Sequence, residues 1–343
     1  MKNIIKIVMV IIGTLIGAGF ASGREIYLFF GKYGSNGQIG IIISSIFTGI
    51  IIYSTLKIIS KEGIISYTDL LEDVNPKHKN TNNIIKIIVI IFQLISFYIM
   101  VAGFSAYMKQ TYELPVYLSS IVFVLISYFI FRKSLQGMVK ANTILVPILL
   151  IFIIYLGIKN MPYAMQIAFT SQNSINEKGW LISSILYTSY NSIILIPVLV
   201  TMKKYIKSKS QIIGISTISV LSIMILSFCI YGLLLKGNFF VQELELPLIE
   251  ITHQFGKIFS YMYGFVIIVS IFTSAISTGY SFLENICKDE KSYKRNLIFM
   301  SITSILVSNI GFSNLVNILY PLFGILGMIQ IIFICINKNK YNI

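Results

Sequence analysis

The sequence predicts an all-α integral membrane protein with about ten transmembrane helices, and three observations carry that expectation. Hydrophobic residues make up 56% of the 343 positions and charged residues 12%, whereas soluble domains carry about 25% charged residues. The apolar residues gather into ten runs, each near the roughly 20 residues that one bilayer crossing takes. The basic residues cluster at alternate gaps between those runs, as they do when Lys and Arg resist translocation. With a mean hydropathy of +0.82, a water-soluble globular fold is excluded. The formal charge of +14 resides in loop lysines, so it marks topology and no nucleic-acid partner.

In chain order the runs extend over 4–30, 37–59, 84–108, 115–131, 142–158, 180–202, 212–235, 259–284, 296–310 and 315–336. The first starts among Lys2 and Lys6 and contains Ala21-Ser22-Gly23, which imitates a signal peptide; its apolar continuation at Tyr27 to Phe30 and the nine spans that follow mark a retained helix. The second ends at Lys57 and Lys61, the third stops before Lys109, and the fourth opens at Pro115 and closes at Arg132 and Lys133. Lys140 and Lys159 bracket the fifth, Lys178 and Lys203 the sixth, Lys209 and Lys236 the seventh. Lys257 and Lys288 bracket the eighth, Arg295 opens the ninth, and Lys338 follows the tenth. With the N-terminus inside, twenty of the 27 basic residues are internal, and only Arg24, Lys32, Lys109, Lys159, Lys178, Lys236 and Lys257 are external. The expectation is a multi-pass protein of the cell membrane with both termini cytoplasmic. Five being odd, a duplicated five-helix unit re-enters the membrane inverted, which divides a single domain, 1–343, into repeats of about 1–158 and 179–336.

Three spans carry more polarity than a lipid-facing helix tolerates. The first packs Gly13, Gly17, Gly19 and Gly23 into eleven residues and follows them with Arg24 and Glu25. That density predicts an unwound segment beside a cavity, with tight GxxxG packing as the plainer reading. The sixth has six successive polar side chains, Tyr187, Thr188, Ser189, Tyr190, Asn191 and Ser192, with Pro197 beyond them. They predict a second opening, with interhelical hydrogen bonding as the alternative. On the eighth, Ser270, Thr273, Ser274 and Ser277 share one face. Neutral oxygens of this kind suit a small hard cation. Cys229, Cys287 and Cys335 form no metal or disulfide pattern, and His78 and His253 fall in connections. An enzyme is therefore not expected. Glu25 and Glu284 are the carboxylates nearest the core, expected at helix ends in contact with water, and residues 60–83 read as a solvated linker with at most a short surface helix.

The first helix, GAGFASGRE at 17–25, together with Tyr187 to Ser192 and Ser270 to Ser277, resembles the YkvI-type bacterial membrane proteins of the amino acid, polyamine and organocation transporter superfamily, which has the LeuT-type five-plus-five fold. The resemblance implies broken first and sixth helices and a single sodium ion held by carbonyls of Gly13, Ile16 and Ser270 and by the side chains of Thr273 and Ser274. It implies a substrate carboxylate at Gly17, Ala18 and Gly19, and a substrate side chain among Tyr187, Thr188, Ser189, Tyr190 and Asn191. Arg24 and Glu25 would gate the outer side. Phe20 stands where relatives with a second sodium have Asn. The implied function is sodium-coupled secondary transport of a small amino acid or related zwitterion, with no cofactor beyond the coupling ion. An amino-acid-sensing subunit of the spore germinant receptor type is the alternative.

Overall fold

In the computed structural model, residues 2–60, 64–76, 79–132, 134–170, 179–236 and 245–336 are described, and every regular element among them is helical. Lys61, Lys77, His78, Lys133, Lys178, Lys338 and Lys340 lie outside the described residues. The glycine-dense start does not form one helix. It forms α1 (Lys2–Leu15), α2 (Ala18–Ala21) and α3 (Arg24–Phe29). Gly17 separates the first two in extended backbone, φ −97 and ψ −164. Gly23 separates the next two at φ +82, a left-handed conformation that glycine adopts without steric cost. Any side chain there would also collide with Leu234 and Leu248.

The chain continues through α4 (Ser35–Ile59), α5 (Tyr67–Val74), α6 (Lys79–Tyr112), α7 (Val116–Phe131) and α8 (Ser134–Thr170). Then follow α9 (Trp180–Thr201), α10 (Lys209–Lys236), α11 (Pro247–His253), α12 (Lys257–Ile286), α13 (Glu290–Val307) and α14 (Phe312–Ile336). Seven of these, α4, α6, α8, α9, α10, α12 and α14, are long and apolar enough to cross a membrane, and α1 and α7 are shorter apolar helices. With the interrupted first span counted once and α13 included, the ten expected spans are all helical. The fifth runs on to Thr170, past its expected end at Ile158.

The core is built around the first span. Val10, Ile11 and Ile12 are fully buried, with α8, α10 and α12 packed against α1. Around it α9 packs on α14 and α4, and α6 on α12. The outward faces stay apolar, as Phe129 and Ile151 illustrate, which suits a lipid surround.

Two expectations need correction. Residues 60–83 are not a merely solvated linker, because α5 docks on the bundle. A capping box starts it, Ser66 accepting from the Asp69 amide and Asp69 from the Ser66 amide. It then buries Tyr67, Leu70, Leu71 and Val74, with the Tyr67 hydroxyl accepting from Gln330 at 2.8 Å. The sixth span is not broken: α9 is continuous from Trp180 to Thr201 despite Pro197.

The cause lies in hydrogen bonds that the sequence pattern hid. Thr188 donates to the carbonyl of Ser184, Asn191 to that of Tyr187 and Ser192 to that of Ser189. Three of the six polar side chains thus bond back to their own helix. Pro197 removes the amide that would serve the Ile193 carbonyl. The fully buried Gln93 of α6 replaces it, donating to the carbonyls of Ile193 and Ile194 at 3.3 and 2.9 Å.

Candidate substrate and ion site

The break between α1 and α2 lies deep in the bundle, with Ile16, Ala18 and Phe20 all buried. Its geometry depends on missing side chains. A Cβ on Gly17 would sit 3.0 Å from the Met100 thioether of α6 and from the Ser274 hydroxyl of α12. One on Gly19 would sit 2.8 Å from the Tyr320 hydroxyl and 3.0 Å from Glu25 Oε2. The Ala18 amide points at the Met100 sulfur, 3.5 Å away. Gly17, Ala18 and Gly19 are therefore held where α6, α12 and α14 converge.

Glu25 turns back from α3 toward that point. It is 1% exposed, which corrects the expectation of a helix-end carboxylate in water. Tyr187, Tyr190 and Asn191 of α9 lie around it, and Tyr320 of α14 adjoins it beside Gly19. The rings form one aromatic wall. Tyr190 stacks on Tyr320 at 4.4 Å between centroids, and Phe29 lies 5.4 Å from Tyr187 and 6.2 Å from Tyr190. The structure thus unites Gly17, Ala18 and Gly19 with Tyr187, Tyr190 and Asn191. Thr188 and Ser189 are directed elsewhere. Thr188 also donates to Ser44 of α4, and both line an apolar crevice with Phe47, Ile51, Met328 and Ile332. Arg24 leaves the cluster too, its guanidinium donating to Asn317 Oδ1 at 3.3 and 3.2 Å.

Beside the break, α12 meets α1. The Ser274 hydroxyl donates to the Thr14 carbonyl at 2.6 Å, and that of Thr273 to the Ser270 carbonyl at 3.0 Å. Ser270 donates to Ile267 within its own helix. Gly13 faces the fifth span, where a Cβ would overlap Asn142 Oδ1. The Asn142 amide donates to Ser277 at 3.1 Å, so Ser277 belongs to a polar link between α8 and α12. Ile16 is buried, its amide bonded to the Ile12 carbonyl. Glu284, the other carboxylate singled out, is exposed and accepts from Tyr280 at 2.9 Å. It borders a polar cavity with Arg132, Lys288 and Asp289, away from the break.

Sequence reasoning missed Gln93, Met100, Asn142, Asn317 and Tyr320. Gln93 and Asn317 carried a usable signal, an amide side chain inside an apolar run, and Asn142 stood at the start of one. Met100 and Tyr320 carried none.

Ten helical spans around an interrupted first helix define a LeuT-fold membrane protein. Comparison with known proteins agrees. The chain is 26% identical over 332 residues to the membrane protein YkvI of Bacillus subtilis strain 168, covering 94% of this chain and 92% of that protein. It is 24% identical over 334 residues to YyaD of the same organism, covering 94% and 93%. Among solved structures it superposes on MhsT in complex with L-phenylalanine, with a TM-score of 0.63 at 17% identity over 96% of this chain and 88% of that one. It also superposes on a mutant of the Eremococcus coleocola manganese transporter, with a TM-score of 0.57 at 14% identity over 96% and 76%. No family model matches.

Proposed function

We propose that the chain is a secondary transporter of a small amino acid or related zwitterion, working by alternating access with one sodium ion bound between α1 and α12. The observation that carries this reading is the break at Ile16–Gly17, enclosed by α6, α9, α12 and α14. Unpaired backbone at membrane depth is tolerated where it lines a binding site or is buried in protein, and discontinuous helices of this kind form the midplane sites of transporters. In the proposed arrangement the substrate carboxylate meets Gly17, Ala18 and Gly19, and its variable part meets Tyr187, Tyr190 and Asn191. Arg24 and Glu25 stand on the outer side of the site, both termini are cytoplasmic, and repeats 1–158 and 179–336 rock against each other.

For the ion, the Thr273 and Ser274 hydroxyls and the carbonyls of Gly13, Ile16 and Ser270 offer neutral oxygens, which suit a small hard cation. A transition metal as cargo is less well served, since no group of three His, Cys, Asp or Glu side chains gathers among the described residues. MhsT, as an amino-acid complex of the same fold, supports the substrate class.

Proteoliposomes holding the purified chain and offered a panel of labelled amino acids, with and without an inward sodium gradient, test the reading. Uptake of at least one compound, increased by the gradient, is expected. No uptake of any compound removes the proposal, and uptake indifferent to sodium removes the ion.

A further inference from the structure

Glu25 is enclosed without a counter-charge. Among the described residues no ion pair reaches it, and its Oε1 has no hydrogen-bond partner. The groups that face it are all neutral at physiological pH: the Tyr187 and Tyr190 hydroxyls and the Asn191 amide from α9, and the Tyr320 hydroxyl from α14. No titratable side chain comes from α2, whose sequence is AGFA. On α10, Tyr231 is committed to the Gly34 carbonyl at 2.6 Å. Lys32, in the 3-10 turn after α3, lies over the Tyr33 ring at 5.2 Å. Arg24, adjacent in sequence, is turned to Asn317. An ionised carboxylate enclosed in this way would lose its hydration for only partial replacement by neutral dipoles, which disfavours the charged form.

A second observation points to what relieves that cost. Asn191 lies beside Glu25, and its Oδ1 is likewise buried and without a donor. Two buried acceptors of this cluster, Glu25 Oε1 and Asn191 Oδ1, therefore each lack a donor. One proton on the carboxyl neutralises the acid and adds a donor to a cluster short of them.

We infer that Glu25 takes up one proton each time the site closes over it and returns it to water when the site opens. The step is a proton transfer from hydronium to Oε1, forming one O–H bond that breaks again on opening, with no other reactant. A proton that enters from one side and leaves on the other would be a transported ion; the opening of the site and this consequence both rest on the transporter reading. Protonation also prepares the site for its proposed substrate, because a carboxylate arriving beside Gly19 would otherwise meet Glu25 as a like charge.

Infrared difference spectra of the full chain in lipid test the protonation without any substrate. Wild type minus Glu25→Gln at neutral pH should contain one protonated carboxylic C=O band that is lost in the variant. Asn191→Leu should move that band to higher frequency, since it removes a polar neighbour of the carboxyl, and this second variant keeps the test decisive if Glu25→Gln does not fold. A difference spectrum holding only ionised carboxylate, or a band unmoved by Asn191→Leu, would overturn the inference. In proteoliposomes, an acidic exterior should raise accumulation of any transported amino acid several-fold in wild type and not in Glu25→Gln. If accumulation in wild type is the same with and without the pH gradient, proton coupling is wrong. If no amino acid is taken up while the infrared band is present, the transporter reading fails and the protonated Glu25 stands.

Discussion

The first and sixth spans present a controlled contrast: both carry polar or flexible residues at mid-membrane, yet one is interrupted and the other runs through. In the first, Gly17 and Gly19 remove the side chains that would fill the space, and Met100, Ser274, Tyr320 and Glu25 close on the bare backbone instead. In the sixth, hydroxyl and amide side chains bond to carbonyls three and four residues back, and Gln93 serves the carbonyls beside Pro197. A helix at this depth stays intact when its backbone groups have partners. Local polarity alone does not open it.

The largest test of that contrast is Gly19→Leu. A branched side chain would meet Tyr320 and Glu25 within 3.0 Å, so uptake should be abolished while the protein still inserts and elutes as a single species. Unchanged uptake would make the glycines packing residues and move the site elsewhere. Next is Gln93→Leu, which leaves two carbonyls beside Pro197 without their side-chain donor and should cost about 1–3 kcal/mol of stability. In a Pro197→Ala background, where the helix amide returns, the same change should cost measurably less. A double-mutant cycle by thermal or denaturant unfolding reads the difference, and strict additivity would contradict the account of the unbroken helix.

A smaller effect concerns the seam between α1 and α12. Thr273→Val combined with Ser274→Ala should raise the sodium concentration for half-maximal uptake about tenfold, equivalent to about 1.4 kcal/mol. An unchanged requirement would take the ion away from this seam. Ser277→Ala breaks the link to Asn142 and should change stability by about 1 kcal/mol with little change in the sodium requirement. The smallest expected effect is Thr188→Val. Its hydroxyl bonds to Ser184 and Ser44 and lies on the crevice side of α9, so substrate preference should stay as in wild type, whereas Tyr190→Ala should change it. If Thr188→Val alters preference as much as Tyr190→Ala, the side of α9 that faces substrate has been misassigned.

Glu25 and Glu284 make a second pair that sequence alone could not separate. Each follows an apolar stretch and precedes a helix end. Glu284 is exposed beside Arg132 and Lys288. Glu25 is folded inward because the left-handed turn at Gly23 redirects α3 over Gly19. One turn of backbone decides whether the carboxyl meets water or tyrosine hydroxyls.

Span number, the helical class and the interruption of the first span were legible in the sequence, because hydrocarbon imposes a length on every crossing and glycine density weakens a helix wherever it occurs. These are properties of single segments. The continuity of the sixth span, the docking of α5, the placing of Thr188 away from Glu25 and the burial of Glu25 itself were decided only by tertiary structure. Each turns on whether a particular partner arrives from a distant helix: Gln93 at the Ile193 and Ile194 carbonyls, Gln330 at Tyr67, Ser44 at Thr188, and Tyr320 at Gly19. A hydrogen bond is satisfied by geometry across the fold, and hydropathy along the chain holds no record of it.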